Sequence, residues 1–140
     1  MPVDDEGLLE AFFAVSRRLR HRTREALEPW ELSPSLARAI SVLSWHGDMR
    51  PGALAEHLRI APRSATELVD DLQRAGLAER HPDPADRRAV LVVLTDEGVR
   101  VGRDIRAARQ EAGERFFATL SPGDREELGR LLRQLSDDGD

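Results

Sequence analysis

Apolar residues recur every three or four positions over most of this chain and crowd into a near-continuous run only once. Residues 7–28 show the first such stripe: Leu8, Phe12, Val15, Leu19, Thr23 and Ala26, continued by Trp30, which predicts a long amphipathic helix. Its other sides carry Arg17, Arg18, Arg20, Arg22 and Arg24, with His21 among them. Such a run reads first as a solvated face, with contacts to an anionic ligand or to phosphates as the sharper reading. A membrane-surface helix fits poorly, because this apolar face is needed for a core. Next, Ser33 suits an N-cap and Pro34 a first turn, and Leu36, Ile40, Val42 and Leu43 predict a buried helix ending near Gly47. Near that end, Trp45 reads as core and His46 as a satisfied polar residue; the alternative is that both border a ligand cavity with the first helix.

A short helix follows over 51–58, with Leu54, Ala55 and Leu58 apolar, and residues 59–61 link it to another beginning at Pro62. In this second helix Ala65, Leu68, Val69, Leu72 and Ala75 share one face, and Gly76 suits a left-handed C-cap. The opposite face carries Arg63, Thr66, Glu67, Asp70 and Arg74. Residues 77–80 and 89–94 read as two strands, the second rich in Val and Leu. Between them Pro82, Asp83, Pro84 and Asp86 have the composition of an exposed hairpin tip, which ends in Arg87 and Arg88. Thr95 is the N-cap expected for a helix from Asp96 to about Thr119. Its stripe is Gly102, Ile105, Ala108, Ala112, Phe116 and Leu120, and the small residues Gly102, Ala108, Ala112 and Gly113 permit close helix packing. Ser121-Pro122 opens the last helix, with Leu128, Leu131, Leu132 and Leu135 apolar, before an acidic tail over 136–140 that is expected to fray.

Helix, tight turn, helix and a hairpin with a basic tip describe a winged helix-turn-helix. In such a module the second helix enters the DNA major groove and the hairpin reaches the backbone or minor groove. The first helix and the last two have more apolar face than one small module needs, so the expected fold is mainly α with a small β-hairpin wing: a winged helix-turn-helix plus a helical layer that buries itself against a partner. We expect one domain over the 140 residues, with 33–98 forming the winged lobe and 7–30 and 99–136 the dimerisation helices.

Composition narrows the functional classes. Charged residues make up 34% and aromatics 4%, and every cation apart from four histidines is arginine. The absence of cysteine excludes disulfides, thiolate zinc sites and thiol redox sensing. No stretch approaches the roughly 20 apolar residues of a membrane span, and Asp4, Asp5 and Glu6 stand where a hydrophobic signal would begin, so the cytoplasm is the expected location. The chain contains no G-x-x-x-x-G-K-[ST], no G-x-G-x-x-G after a strand, no H-E-x-x-H and no serine elbow. We therefore expect no catalytic residue, no cofactor and no metal. His21, His46, His57 and His81 fall in four different elements without ligand spacing, leaving open only a metal site assembled in space. The net charge of −5 is awkward for a nucleic-acid binder. From Arg50 to Val90, seven arginines (50, 59, 63, 74, 80, 87 and 88) face seven acids (56, 67, 70, 71, 79, 83 and 86), so the excess acid lies elsewhere. Affinity for a phosphate backbone depends on where charges sit, not on their sum.

The segment D-P-A-D-R-R-A-V-L-V-V-L-T-D-E-G at 83–98 resembles the wing signature of the MarR family of bacterial transcription regulators. P-G-A-L-A-E-H-L at 51–58, G-L-A-E-R at 76–80 and L-S-P-G-D-R-E-E-L at 120–128 are similar to its first motif helix, its wing entry and the start of its last helix. The resemblance runs over almost the whole chain. It implies a two-fold homodimer with interlocked terminal helices, bound to double-stranded DNA on a pseudo-palindromic operator with half-sites about one helical turn apart. It also implies repression by occupying a promoter, and release by a small molecule that favours a different spacing of the two lobes.

The DNA contacts that follow are Arg63, Ser64 and Thr66 on the second motif helix and Arg87 and Arg88 on the wing. Asp86 and Arg88 match the family's Asp-x-Arg, which implies an ion pair orienting the wing with Arg87 free; which arginine enters the minor groove stays open. The candidate ligand pocket comprises Phe13, Arg17, His21, Trp45 and His46, and an arginine among aromatics suits a small anionic or aromatic effector. The chain departs from the family at Glu67 and Asp71, where members often carry a base. Acid there costs nonspecific phosphate affinity, so binding is expected to be weaker or more sequence-selective; Glu67 is able to accept from a cytosine amino group. The alternative is a winged module that binds protein with little or no affinity for DNA.

Overall fold

The computed structural model describes residues 5–137. In chain order these form α1 (Asp5–Ala26), a single 3-10 turn (Glu28–Trp30), α2 (Pro34–His46), α3 (Pro51–Leu58), α4 (Pro62–Arg74), β1 (Ala78–Asp83), β2 (Asp86–Leu94), α5 (Asp96–Phe117) and α6 (Pro122–Asp137). Of the tail expected to fray, Ser136 and Asp137 close α6, and 138–140 lie outside the described residues, as does Asp4. The chain divides into two compact units: Ala26–Arg109, and Met1–Glu25 with Gln110–Asp140.

In the first of these units the local signals in the sequence act as expected. The Ser33 hydroxyl accepts the Leu36 amide at 3.2 Å, with Pro34 in the first turn of α2. Gly47, at φ 85°, ends that helix by donating to the Leu43 carbonyl at 2.9 Å. The turn between α3 and α4 rests on Arg59 at φ 53°, a left-handed conformation unusual for a residue with a Cβ. Its amide donates to the Glu56 carbonyl, and that of Ile60 to the Ala55 carbonyl, both at 3.1 Å. Buried Ala65, Val69 and Leu72 form the inner stripe of α4, whereas Ala75 falls at the C-cap and is exposed. Val69 and Leu72 join Ile40, Leu43, Leu54, Leu58, Val92, Val101 and Ile105 in one core where α2, α3 and α4 meet β2 and the opening turns of α5.

The wing is longer in strand and shorter in turn than the sequence suggests. β1 and β2 pair antiparallel from Ala78 opposite Leu94 out to Asp83 opposite Asp86, with an irregularity between Pro82 and Asp83. Only Pro84 and Ala85 are left as the turn. Pro82 and Pro84 made this region read as loop, yet a two-stranded ribbon has only edges, where a missing amide need not break a ladder. The Asp83 carboxylate closes the turn by accepting the Ala85 amide at 2.9 Å. Met49, just before α3, adds a further pairing to β2: Val92 donates to its carbonyl at 2.7 Å.

Three elements converge at the base of the wing. The Thr95 hydroxyl accepts the Gly98 amide at 3.0 Å, capping α5, and donates to the Gly76 carbonyl at 2.7 Å. The Thr95 amide donates to the Leu77 carbonyl at 3.1 Å. Gly98 packs flat on that same carbonyl, where an added Cβ would come within 2.0 Å of the oxygen. Gly102 faces α2 less tightly, with the Ser44 hydroxyl 3.2 Å from where its Cβ would be. Because Gly98, Val101, Gly102 and Ile105 are buried here, the compact unit runs to Arg109, past the boundary at residue 98 read from the sequence.

The other unit leaves its apolar stripes largely uncovered. On α1, Leu8, Leu9, Phe12, Phe13 and Val15 are exposed, Leu8 at 59%. On α6 no residue is buried, and Leu135 is 70% exposed. Phe116 is half-buried, with the Arg18 guanidinium 5.8 Å from its ring centre.

Candidate nucleic-acid interface

No side chain caps the start of α4, which opens on Ala61 with Pro62 in its first turn. Such an end presents unpaired amides and a positive dipole to an anion. Arg63, Ser64, Thr66 and Glu67 are all exposed along the first two turns. The Thr66 hydroxyl donates back to the Pro62 carbonyl at 3.1 Å, which leaves its oxygen free to accept.

The remaining acids of α4 are occupied. Arg80, on β1, donates to Asp70 at 2.6 Å and to the Gln73 side-chain carbonyl at 2.7 Å. Asp71 pairs with Arg74 one turn on. Exposed pairs of this kind contribute little to stability, but they fix where charge is available. They also tie the wing to α4 through Arg80, a contact not anticipated from the sequence.

The sequence placed Asp83 on an exposed tip; in the structure it is buried, and its Oδ2 accepts a hydrogen bond from Arg50 Nε at 2.9 Å and lies 2.8 Å from Arg50 Nη2 in an ion pair. The amide of Ala85, and then Arg50, hold its carboxyl below the usual aspartate range. Arg50 lies 33 residues upstream as the N-cap residue of α3, so this pair anchors the wing to the helix-turn-helix. The Asp-Pro turn was the only local signal, and nothing near Asp83 pointed to Arg50.

Asp86 also differs in detail. In place of the ion pair expected with Arg88, its Oδ1 accepts the Arg88 backbone amide at 3.0 Å. Arg87 and Arg88 are consecutive residues of β2, not members of a loop, and so point to opposite faces of the ribbon. Both are exposed. Among the described residues, Arg59, Arg63, Arg87 and Arg88 have no ion-pair partner, whereas Arg50, Arg74 and Arg80 all do.

The residues assigned to a ligand pocket fall in different units. Phe13, Arg17 and His21 are exposed on α1, with His21 2.9 Å from Glu25. Trp45 and His46 end α2. Trp45 is not core but 66% exposed, because it lies two positions, or about 200°, past Leu43 on the helix. The Arg106 guanidinium lies 4.7 Å from its ring centre. His46 stacks on His57 of α3 with ring centres 4.2 Å apart, so two of the four histidines meet after all. Half-buried Arg109 donates to the Ser41 hydroxyl at 2.9 Å, and burial lowers its pKa. Arg106 and Arg109 were missed in the sequence, where they are two more arginines on a charged helix. Among the described residues no three His, Cys, Asp or Glu side chains are grouped to hold a metal ion, and no helix is long and apolar enough to cross a membrane.

Comparison with known proteins agrees with this geometry. Residues 32–90 match the family model of the MarR family. An HTH-type transcriptional regulator of Mycobacterium bovis is 35% identical over 127 residues, which are 91% of this chain and 83% of that protein. A MarR family protein from Bacillus stearothermophilus superposes with a TM-score of 0.85 at 26% identity, covering 94% of this chain and 91% of that one. A cysteine-to-serine mutant of MarR from E. coli, in a crystal structure with operator DNA, has the same fold, with a TM-score of 0.74 at 22% identity over 91% of this chain and 92% of its own. With a winged helix-turn-helix built from these residues and relatives matched over most of its length, the chain belongs to the MarR family of transcriptional regulators.

Proposed function

We propose that this regulator acts in the cytoplasm as a homodimeric repressor. Each copy places α4 in the major groove and its wing against the neighbouring backbone or minor groove of a pseudo-palindromic operator. The observation that carries this reading is the division of charge in the winged unit. Arg63 at the start of α4 and Arg87 and Arg88 on the wing are exposed and unpaired, while Asp70, Asp71 and Asp83 are each held by an arginine. Arg63, Ser64 and Thr66 are then the α4 contacts, and Asp86 orients the wing through the Arg88 amide. The uncovered stripes of α1 and α6 supply the face for a second copy.

Release by a small anionic or aromatic effector completes the proposal. Exposed arginine and aromatic rings are the chemistry that suits an aromatic carboxylate.

Fluorescence anisotropy of the purified protein on its own upstream intergenic DNA, titrated with salt against an unrelated duplex, tests the reading. Competitor-resistant binding that weakens steeply with salt is the expected result. No binding to either duplex at low salt would replace it with a protein-interaction module.

A further inference from the structure

Three carboxylates lie on or beside the outward surface of α4, and only one is unoccupied. Asp70 is held by Arg80 and Asp71 by Arg74, while Glu67 is exposed and has no hydrogen-bond or ion-pair partner among the described residues. Arg63, one helical turn before it, is equally free, and the two do not pair with each other although their spacing of four residues would permit it. Arg63, Thr66, Glu67 and Asp70 share one face of α4, opposite buried Ala65, Val69 and Leu72.

An unpaired carboxylate on a surface that approaches phosphates weakens binding unless it meets a donor. In the major groove guanine and thymine present acceptors, adenine a donor beside an acceptor, and cytosine a donor alone at its 4-amino group. A carboxylate is therefore repelled by two bases, half-matched by one and matched by cytosine. Arg63 has the opposite preference, its fork suiting the O6 and N7 of guanine. The two residues are about 6 Å apart along the helix axis, which spans one or two steps of a duplex rising about 3.4 Å per base pair.

We infer that Glu67 is a specificity-determining residue that reads a cytosine in each operator half-site, with Arg63 reading a guanine one or two base pairs away. This rests on the DNA-binding reading proposed above. Nearby Asp70 does not share the role, because Arg80 already occupies its carboxylate.

The test is selection from a random duplex library with the full-length chain, comparing wild type with Glu67→Gln and Glu67→Ala. The wild-type motif should contain one position per half-site where cytosine exceeds guanine and thymine by about tenfold or more, within the discrimination of a good base contact. Glu67→Gln should move that position to adenine, whose N6 and N7 a glutamine amide satisfies together. Glu67→Ala should flatten that position alone and raise affinity for unrelated duplex at low salt. Motifs identical in all three proteins would overturn the inference while leaving the regulator reading intact, as would a uniform loss of information at every position. Failure of the wild type to select any motif would overturn both.

Discussion

Gly98 is the position where a single methyl group should do the most damage. Its φ is not left-handed, so alanine is acceptable to the backbone there and the effect is purely steric. The added Cβ would lie 2.0 Å from the Leu77 carbonyl oxygen and 3.2 Å from Leu94 Cδ2. Real Cβ atoms essentially never come closer than 3.0 Å to such neighbours, so helix and carbonyl must separate by at least about 1 Å. Neither is free to move. The Leu77 carbonyl accepts the Thr95 amide, and the Leu77 amide donates to Leu72 at the end of α4 at 2.9 Å. Overpacking of this kind costs about 1–3 kcal/mol or more, and here it falls on backbone, the least yielding partner. Against it stands the helix preference for alanine over glycine, at most about 1 kcal/mol and less in a first turn. The expected net loss is about 2 kcal/mol, or about 8 °C in melting temperature for a chain of this size. Thermal and urea melts followed by circular dichroism measure it, with Gly52→Ala as the control, since nothing lies within 4 Å of that added Cβ. Because Leu77 leads into the wing, Gly98→Ala should also lose operator affinity at temperatures where it is still folded. A Gly98→Ala protein that melts with the wild type would refute the reasoning.

Three further outcomes follow from the same geometry. Asp83→Asn removes the charge that Arg50 holds. The folded pKa of Asp83 is lowered, so its contribution is complete above the unfolded aspartate value of about 3.9 and is lost as pH falls through the lower folded value. The wild type should therefore be the more stable at pH 7, and the difference in urea midpoint should shrink below about pH 4; a difference that does not change with pH would count against the pair. Arg59→Gly relieves a left-handed residue at a cost of about 1–2 kcal/mol against a glycine penalty of about 0.5–1 kcal/mol, so a gain of about 0.5–1 kcal/mol in stability is expected; a lower melting temperature would show that the turn is held by the arginine side chain. Phe12→Glu combined with Leu132→Glu should give a folded monomer by sedimentation, since both residues are already exposed within the chain; an unchanged dimer would place the interface elsewhere.

What the sequence reveals is local. Ser33, Gly76 and Thr95 act as caps because a cap is a property of three or four adjacent residues. The inner stripe of α4 was readable because Ala65, Val69 and Leu72 repeat at the helical period. Trp45 resembles core in the sequence because an aromatic residue next to a stripe looks like part of it, and only its angle around the helix excludes it. The strands extend beyond the lengths that the sequence suggests because proline marks a break in a sheet interior but not on a ribbon that is all edge. Contacts such as Arg50 with Asp83, or His46 with His57, have no local signature, since chain separation says nothing about distance once the helices fold back.

Charge shows most clearly what a count leaves out. Seven arginines and seven acids between Arg50 and Val90 cancel, and the sum made this region an unpromising ligand for a polyanion. Folding partitions that zero. Three arginines are consumed by Asp70, Asp71 and Asp83, two of these pairs fastening the wing to helices α3 and α4. Glu79 faces His81, and Asp86 is turned towards a backbone amide. Four arginines remain unpaired, three of them on the two elements that a winged helix-turn-helix offers to DNA. Against them stand Glu56 on α3 and Glu67 on α4. A neutral segment thus presents unpaired arginines interrupted by a single unpaired acid on α4, and affinity for a polyanion follows such local placement of charge, not its sum.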